Sequence, residues 1–269
     1  MSTARADVSK TWHTVAYREC GATYERYVVD GFGGVGTVWK FRAVMEEGIP
    51  FKRVHGTHAF EYPGKDPRFN EVFNKAMINH TTIVINKILQ CSPYKGFGQL
   101  NLNHKKLVDV GGGLGVTLSI ITPNTTHIKA INFDLPHVIQ HAPPYPGVEH
   151  VAADMFESVP KGDAIFMKLL KNFDAAHTAL PDNGKVIVVE GMIPVIPDPS
   201  TAAKSMCQID LVMMTQIPGG KERTQNEFLA LAIGAGFTGI SLECFICNFW
   251  VMEFYKWIYI SMALAGLIN

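Results

Sequence analysis

The sequence predicts an α/β fold: an open, largely parallel sheet that finishes in an antiparallel hairpin and is preceded by a mainly helical segment. Three observations carry that expectation. Apolar runs at 107–110, 128–133, 148–151, 164–167 and 185–189 alternate with helical stretches, the pattern of strands joined by crossovers into a parallel sheet. Two later runs, 240–245 and 250–254, lie close enough to form a hairpin, which places an antiparallel strand at the sheet's end. The first strand passes from Val108-Asp109-Val110 straight into Gly111-Gly112-Gly113-Leu114-Gly115, where glycines let a backbone turn sharply and come close to a ligand.

The elements follow in order. Residues 1–45 show no clean periodicity and hold Gly31, Gly33, Gly34 and Gly36. From Asp66-Pro67, an N-cap followed by a proline in the first helical position, Phe69, Val72, Phe73, Ala76, Met77, Ile83 and Ile88 recur at helical intervals up to Gln90, a long amphipathic helix. The stretch 96–104 reads as a connector, and 116–121 as a helix whose first amides face the glycine loop's pocket. The chain therefore divides into a helical region 1–96, a sheet domain 97–256 and an apolar tail 257–269. The tail is too short to span a bilayer, which takes about 20 apolar residues.

Composition narrows the function classes. The 269 residues are 47% hydrophobic, enough for a full core, and Lys plus Arg equals Asp plus Glu at 24 each. No net field attracts nucleic acid or anionic lipid, so neither nucleic acid nor membrane is expected as a partner. Residues 1–10 are polar with no apolar core of a signal peptide, which points to the cytoplasm and leaves the sequons at Asn79 and Asn124 unused. Five cysteines, Cys20, Cys91, Cys207, Cys244 and Cys247, are odd in number and read as reduced thiols. Cys244-Phe245-Ile246-Cys247 has the spacing of a metal pair but no second pair nearby, so it reads as strand and no metal is expected.

In open α/β sheets the ligand crevice lies outside the carboxyl ends of the strands. Asp109, Asp134, Asp154 and Lys168 all end or follow strands and converge there. Asp134 lies about 20 residues beyond the glycine loop, where a carboxylate accepts both ribose hydroxyls. The plainer reading of each aspartate is a cap on the following turn. A nicotinamide cofactor is disfavoured, because the third glycine of the G-x-G-x-x-G fingerprint falls on Val116 and dinucleotide sheets seldom finish in a hairpin.

Six separated motifs then occur in one order: Leu107-Val-Asp-Val-Gly-Gly-Gly, Asn132-Phe-Asp-Leu-Pro-His-Val-Ile, Tyr145-Pro-Gly-Val-Glu-His-Val, Asp154-Met-Phe, Ala179-Leu-Pro-Asp-Asn-Gly-Lys and Pro218-Gly-Gly-Lys-Glu-Arg-Thr. From Trp39 to Lys256 the chain closely resembles the plant S-adenosylmethionine-dependent O-methyltransferases of the caffeic acid type. The resemblance implies a class I methyltransferase (Rossmann-like) fold, S-adenosyl-L-methionine as cofactor, a small phenolic acceptor of the phenylpropanoid, lignin-forming kind and a homodimer. It implies cofactor contacts at Gly111, Gly113, Asp134, Leu135, Asp154, Met155 and Lys168. Acceptor contacts fall on Phe73, Met77, His80 and Met213, and two glutamates beside the catalytic base match Glu190 and Glu222. Without the family, His80 reads as a histidine at the edge of the core on the Phe73–Met77 face, and Glu222 reads as a solvated ion pair.

The chain departs from that family at the base. The family carries a Trp-x-x-His-Asp-Trp segment just after its Met-Lys pair, whereas here Phe166-Met167-Lys168 runs directly into Leu169-Leu170-Lys171-Asn172-Phe173, as after an internal deletion of about a dozen residues. Asn172 stands at the histidine's linear distance, and an uncharged amide takes no proton at neutral pH. His177 is the nearest replacement in sequence, about five residues farther on, with a surface helix histidine as its plainer reading. Residues 1–38 carry no match to the winged-helix region through which the family dimerises. Impaired methyl transfer, or a silent cofactor-binding paralogue or splice product, is the expectation; a nicotinamide-dependent oxidoreductase is the remaining alternative.

Overall fold

Valine, isoleucine and phenylalanine fill the strand segments, and a sheet covered on both faces needs such continuous apolar runs. The computed structural model describes residues 49–59, 61–90, 106–125, 127–168, 173–196 and 198–256. The strands are β1 (Lys106–Val110), β2 (Lys129–Asp134), β3 (Val148–Ala152), β4 (Ala164–Met167), β5 (Lys185–Glu190), β6 (Gly239–Ile246) and β7 (Phe249–Tyr255). They form one sheet in the order β3-β2-β1-β4-β5-β7-β6. β1 to β5 run parallel, while β7 is antiparallel to both β5 and β6. Cys247 and Asn248, with φ of 50° and 64°, make the two-residue turn whose positive φ values match the twist of a hairpin.

The helices among the described residues are α1 (Pro50–His55), α2 (Pro67–Gln90), α3 (Val116–Ile121), α4 (Pro136–Ile139), α5 (Phe173–Ala179), α6 (Thr201–Gln216) and α7 (Gln225–Gly234). Helix α2 starts where its sequence says: Asp66 Oδ1 accepts the amides of Arg68 and Phe69 at 3.0 and 3.1 Å. Thr224 and Glu227 close α7 reciprocally as a capping box.

The described residues form two compact units, one of those up to Thr81 with those of Ile193–Arg223, the other of those of Thr82–Met192 with those from Thr224 onward. In the second unit the strand alternation sorts side chains to two cores. Leu107, Phe166, Ile187 and Val189 pack with Val84, Ile85 and Ile88 of α2 and with Leu118 and Ile121 of α3. Val108, Ile165, Val186 and Val188 pack on the opposite face with Phe173 and Ala176 of α5 and with Phe228 and Ala232 of α7. Each such fully buried side chain contributes about 1.5–3 kcal/mol. In the first unit, Phe51, Tyr62 and Phe69 stack edge to face, with Tyr62 5.0 Å from Phe69 and 5.5 Å from Phe51.

The α/β sheet, its closing hairpin and the helical segment before it agree with the sequence expectation. No helix among the described residues is long and apolar enough to cross a membrane. Cys20, Cys91, Asn172, residues 1–48, the connector 96–104 and the tail 257–269 lie outside the described residues.

Candidate functional site

The sheet reverses its order at β1: β2 and β3 lie to one side, β4 and β5 to the other. Such a reversal, at the carboxyl ends of the strands, is the place where open α/β sheets bind ligands. The glycine loop sits there. Gly111 N–H donates to the Phe133 carbonyl at 2.8 Å. Gly113, at φ 60°, turns its N–H onto Asp134 Oδ2 at 2.8 Å, and Leu135 N–H donates to Asp134 Oδ1 at 2.7 Å. Asp134 is thus clamped through both oxygens, and each oxygen keeps a lone pair to accept from a ligand hydroxyl. A Cβ on Gly113 would meet nothing within 4 Å, so the space beside the loop is open.

Gly112 is constrained for the opposite reason. A Cβ there would run into Asn132 Oδ1 and lie 2.7 Å from Asp109 Oδ2. Asp109 and Asn132 are register partners on β1 and β2, 2% and 0% exposed, and neither of those two oxygens has a hydrogen-bond partner. Burial pushes the Asp109 carboxyl up to about 7, opposed by the Thr117 hydroxyl, aided by the Asp134 charge and opposed by Lys168. Lys168, directly after β4, is pushed down to about 8 by its own burial, against the pull of Glu190 and Asp109. Glu190 ends β5 with 8% exposure. Asp109, Asp134, Lys168 and Glu190 therefore form one electrostatic group at the strands' carboxyl ends.

Asp154 also fills the turn-forming role: its Oδ1 accepts the Phe156 amide at 2.8 Å, and its carbonyl accepts from Glu157 and Ser158. Met155 packs against the core on the α5 and α7 face. Two residues quoted only as motif letters turn out to support the loop. Asn132 Nδ2 donates to the Gly113 carbonyl at 3.0 Å and lies 3.1 Å from His150 Nδ1. The signal was present, since an asparagine inside the apolar run of β2 is costly to bury without a role.

In the first unit, Phe73, Met77 and His80 share a face of α2 by their spacing and are half-buried; Phe73 stacks on Phe69 at 6.0 Å. Met213 is half-buried on α6. Glu222 N–H donates to Asp210 Oδ1 at 2.7 Å. Burial first, and then the Asp210 charge, hold the Glu222 carboxyl above its usual range, with Arg223 opposing. Glu222 is therefore more than a solvated ion pair.

His177 lies elsewhere. Its ring stands edge-on to Phe237 at 4.9 Å and packs against Gly236. The adjoining bonds, Thr238 N–H to the Tyr255 carbonyl and Lys256 Nζ to the Leu180 carbonyl, sit where β7 ends beside the first residue of β5. That is the amino end of the parallel strands, opposite the glycine loop. His177 therefore stands apart from the glycine-loop end of the sheet.

The open space at Gly113 and the clamped Asp134 suit a ribose-bearing ligand, so the residues present fit S-adenosylmethionine. Among the described residues no group of three or more His, Cys, Asp and Glu is placed to hold a metal.

The O-methyltransferase domain family matches residues 40–238. Similar proteins include a catechol O-methyltransferase 1 of Solanum lycopersicum, 59% identical over 80% of this chain and 61% of its own length. A caffeic acid 3-O-methyltransferase of Clarkia breweri is 54% identical over 80% and 59%, and an anthranilate N-methyltransferase of Ruta graveolens 52% over 80% and 60%. The matched chain spans about three fifths of the length of these relatives. Among solved structures, human N-acetylserotonin methyltransferase shares the fold with a TM-score of 0.70 at 17% identity, covering 87% of this chain and 68% of that one. On the extent of the family match and these identities, the chain belongs to the O-methyltransferase domain family.

Proposed function

We propose that this chain binds S-adenosyl-L-methionine at the glycine-loop end of its sheet and is a methyltransferase of small phenolic, phenylpropanoid-type hydroxyls, slowed by the lack of a histidine base. The observation that carries the reading is the Asp134 carboxylate, clamped by Gly113 and Leu135 beside open space. Gly111, Gly113, Asp134 and Leu135 hold the ribose side of the cofactor; Asp154, Met155 and Lys168 serve the adenine and the floor of the site. Phe73, Met77, His80 and Met213 contact the acceptor. The cytoplasm is the proposed location and a homodimer the proposed assembly.

Held by Gly111, Gly113, Asp134 and Leu135, the cofactor would supply an electrophilic methyl group to the acceptor oxygen, and the phenolic proton would pass to a base or to water. A phenol has a pKa of about 10, so at neutral pH a positioned base contributes about 10²–10⁴-fold. Glu190 and Glu222 orient such a base in the resemblance; here they stand without it.

The test is labelled S-adenosylmethionine with catechol-type phenols and, because one relative is named for a nitrogen acceptor, anthranilate. Methyl transfer above that of a Glu190→Gln, Glu222→Gln double variant supports the enzyme reading. A second reading, a silent cofactor-binding paralogue or splice product, is favoured by Lys168-Leu169-Leu170-Lys171-Asn172 standing where the family carries its histidine segment. No transfer from folded protein that still binds S-adenosylhomocysteine would make it the leading one.

A further inference from the structure

The glycine loop rests on a pair of buried oxygens that, as drawn, are both acceptors. Asn132 is fixed in orientation, because the Gly113 carbonyl can only accept, so the amide nitrogen must face it. That nitrogen's second proton meets His150 Nδ1, and His150 Nε2 lies 2.9 Å from the Pro143 carbonyl. The carbonyl at Pro143 likewise only accepts, so Nε2 carries the proton and Nδ1 receives one from Asn132. The chain of donors is complete only one way round, with the His150 proton on Nε2.

Asn132 Oδ1 and Asp109 Oδ2, on register partners of β2 and β1, both lie beside the bare backbone of Gly112, where an added Cβ would meet the two of them. An ionised Asp109 would oppose one buried lone pair with another, both unpartnered, an arrangement that leaves each group desolvated without compensation. One proton on Asp109 Oδ2 turns the conflict into a hydrogen bond and satisfies both atoms.

We propose that Asp109 is a neutral carboxylic acid that donates its proton to Asn132 Oδ1, and that this bond positions the cofactor loop through the Asn132–Gly113 and Asn132–His150 contacts. Asp109 is in this role a positioning residue. The charged and polar groups that act on it are Asp134 at the end of β2, Lys168 after β4 and the Thr117 hydroxyl of α3; His150 of β3 reaches it through Asn132. Of these, burial and Asp134 favour the neutral acid, while Thr117 and Lys168 oppose it. The inference concerns the cofactor half alone and holds whether or not the chain transfers methyl groups.

The sign of its pH dependence is fixed. The folded state keeps a proton on Asp109 that the unfolded chain loses at ordinary carboxyl pKa, so the stability from this bond is full at low pH and is lost as pH rises through about 7. The test compares the full chain with Asp109→Asn, whose amide N–H mimics the protonated acid, and with Asp109→Ala. Thermal unfolding from pH 5 to 8.5 and S-adenosylhomocysteine titration at pH 6 are the readouts. The wild type is expected to lose several degrees relative to Asp109→Asn as pH rises. Asp109→Asn is expected to bind within about threefold of wild type and Asp109→Ala at least about tenfold more weakly. Equal losses in both variants, or a wild type that gains stability over Asp109→Asn with rising pH, would overturn the proposal. Should the variants fail to fold, infrared spectroscopy of the wild type decides: a protonated carboxyl band that persists at pH 6 and fades near 7 is expected, and its absence at pH 6 overturns the assignment.

Discussion

The two ends of the parallel strands treat polar groups in opposite ways. At the carboxyl end, Asp109 and Asn132 keep buried oxygens without partners, Asp134 holds two backbone amides and faces open space, and Lys168 is driven down toward neutrality by burial. At the amino end, His177 is edge-packed on Phe237 and the neighbouring groups find protein partners: Lys256 with the Leu180 carbonyl, and Lys185 with Glu253 at 2.6 Å. Unmet hydrogen-bonding capacity gathers at the glycine-loop end, where a proton on Asp109 and a ligand at Asp134 would complete it, and satisfied packing at the other end. His177, packed at the amino end, belongs to the satisfied one of these environments.

Restoring function at the carboxyl end sharpens the contrast most. Inserting a Trp-x-x-His-Asp-Trp segment after Lys168 is expected to raise methyl transfer by about 10²–10⁴-fold, read with labelled S-adenosylmethionine; no gain in a folded insertion variant contradicts the missing-base account. Gly112→Ala drives a Cβ into Asn132 and Asp109 and is expected to cost about 1–3 kcal/mol, measured by denaturant unfolding. Glu190→Gln removes the larger of the two charges that hold Lys168 up. Lys168 should then titrate below its value of about 8, followed by NMR of labelled lysine; an unchanged or higher titration would break the electrostatic group apart.

The smallest effect belongs to the amino end. His177→Gln should leave methyl transfer within about twofold while costing about 0.5–1.5 kcal/mol of edge-to-face packing. Burial and Lys256 hold the His177 imidazole below its ordinary range. Protonation therefore favours the unfolded chain, and the stability His177 adds near neutrality is lost as pH falls through its folded value. The variant should flatten that acid-side loss in a thermal unfolding series.

Much of this was legible in the residues. Strand β4 and the helices α2 and α3 appear at the bounds their apolar periods and caps indicate, because those signals are local: Asp66-Pro67 opens α2 and Gly115 precedes α3. Asp134 was legible as a strand-end carboxylate. Asn132 was legible only as a polar residue out of place in an apolar strand: what it does depends on Asp109 lying beside it in the sheet, on its bond to the Gly113 carbonyl and on His150 of β3, three contacts that no single stretch of sequence states. Glu222 looked like part of a solvated charge run because its burying partner, Asp210, belongs to α6. His177 was a candidate only as the nearest histidine in sequence, and the strand direction places it at the end of the sheet opposite the glycine loop.

Calorimetric titration of S-adenosylhomocysteine into the full chain and into Asp134→Ala tests the central claim most directly. Two charge-assisted hydrogen bonds to a ribose diol are together worth about 3–6 kcal/mol, so saturable binding by the wild type and at least a hundredfold weaker binding by the variant are expected. Folded wild type that binds nothing, or a variant that binds as well as the wild type, would contradict the account.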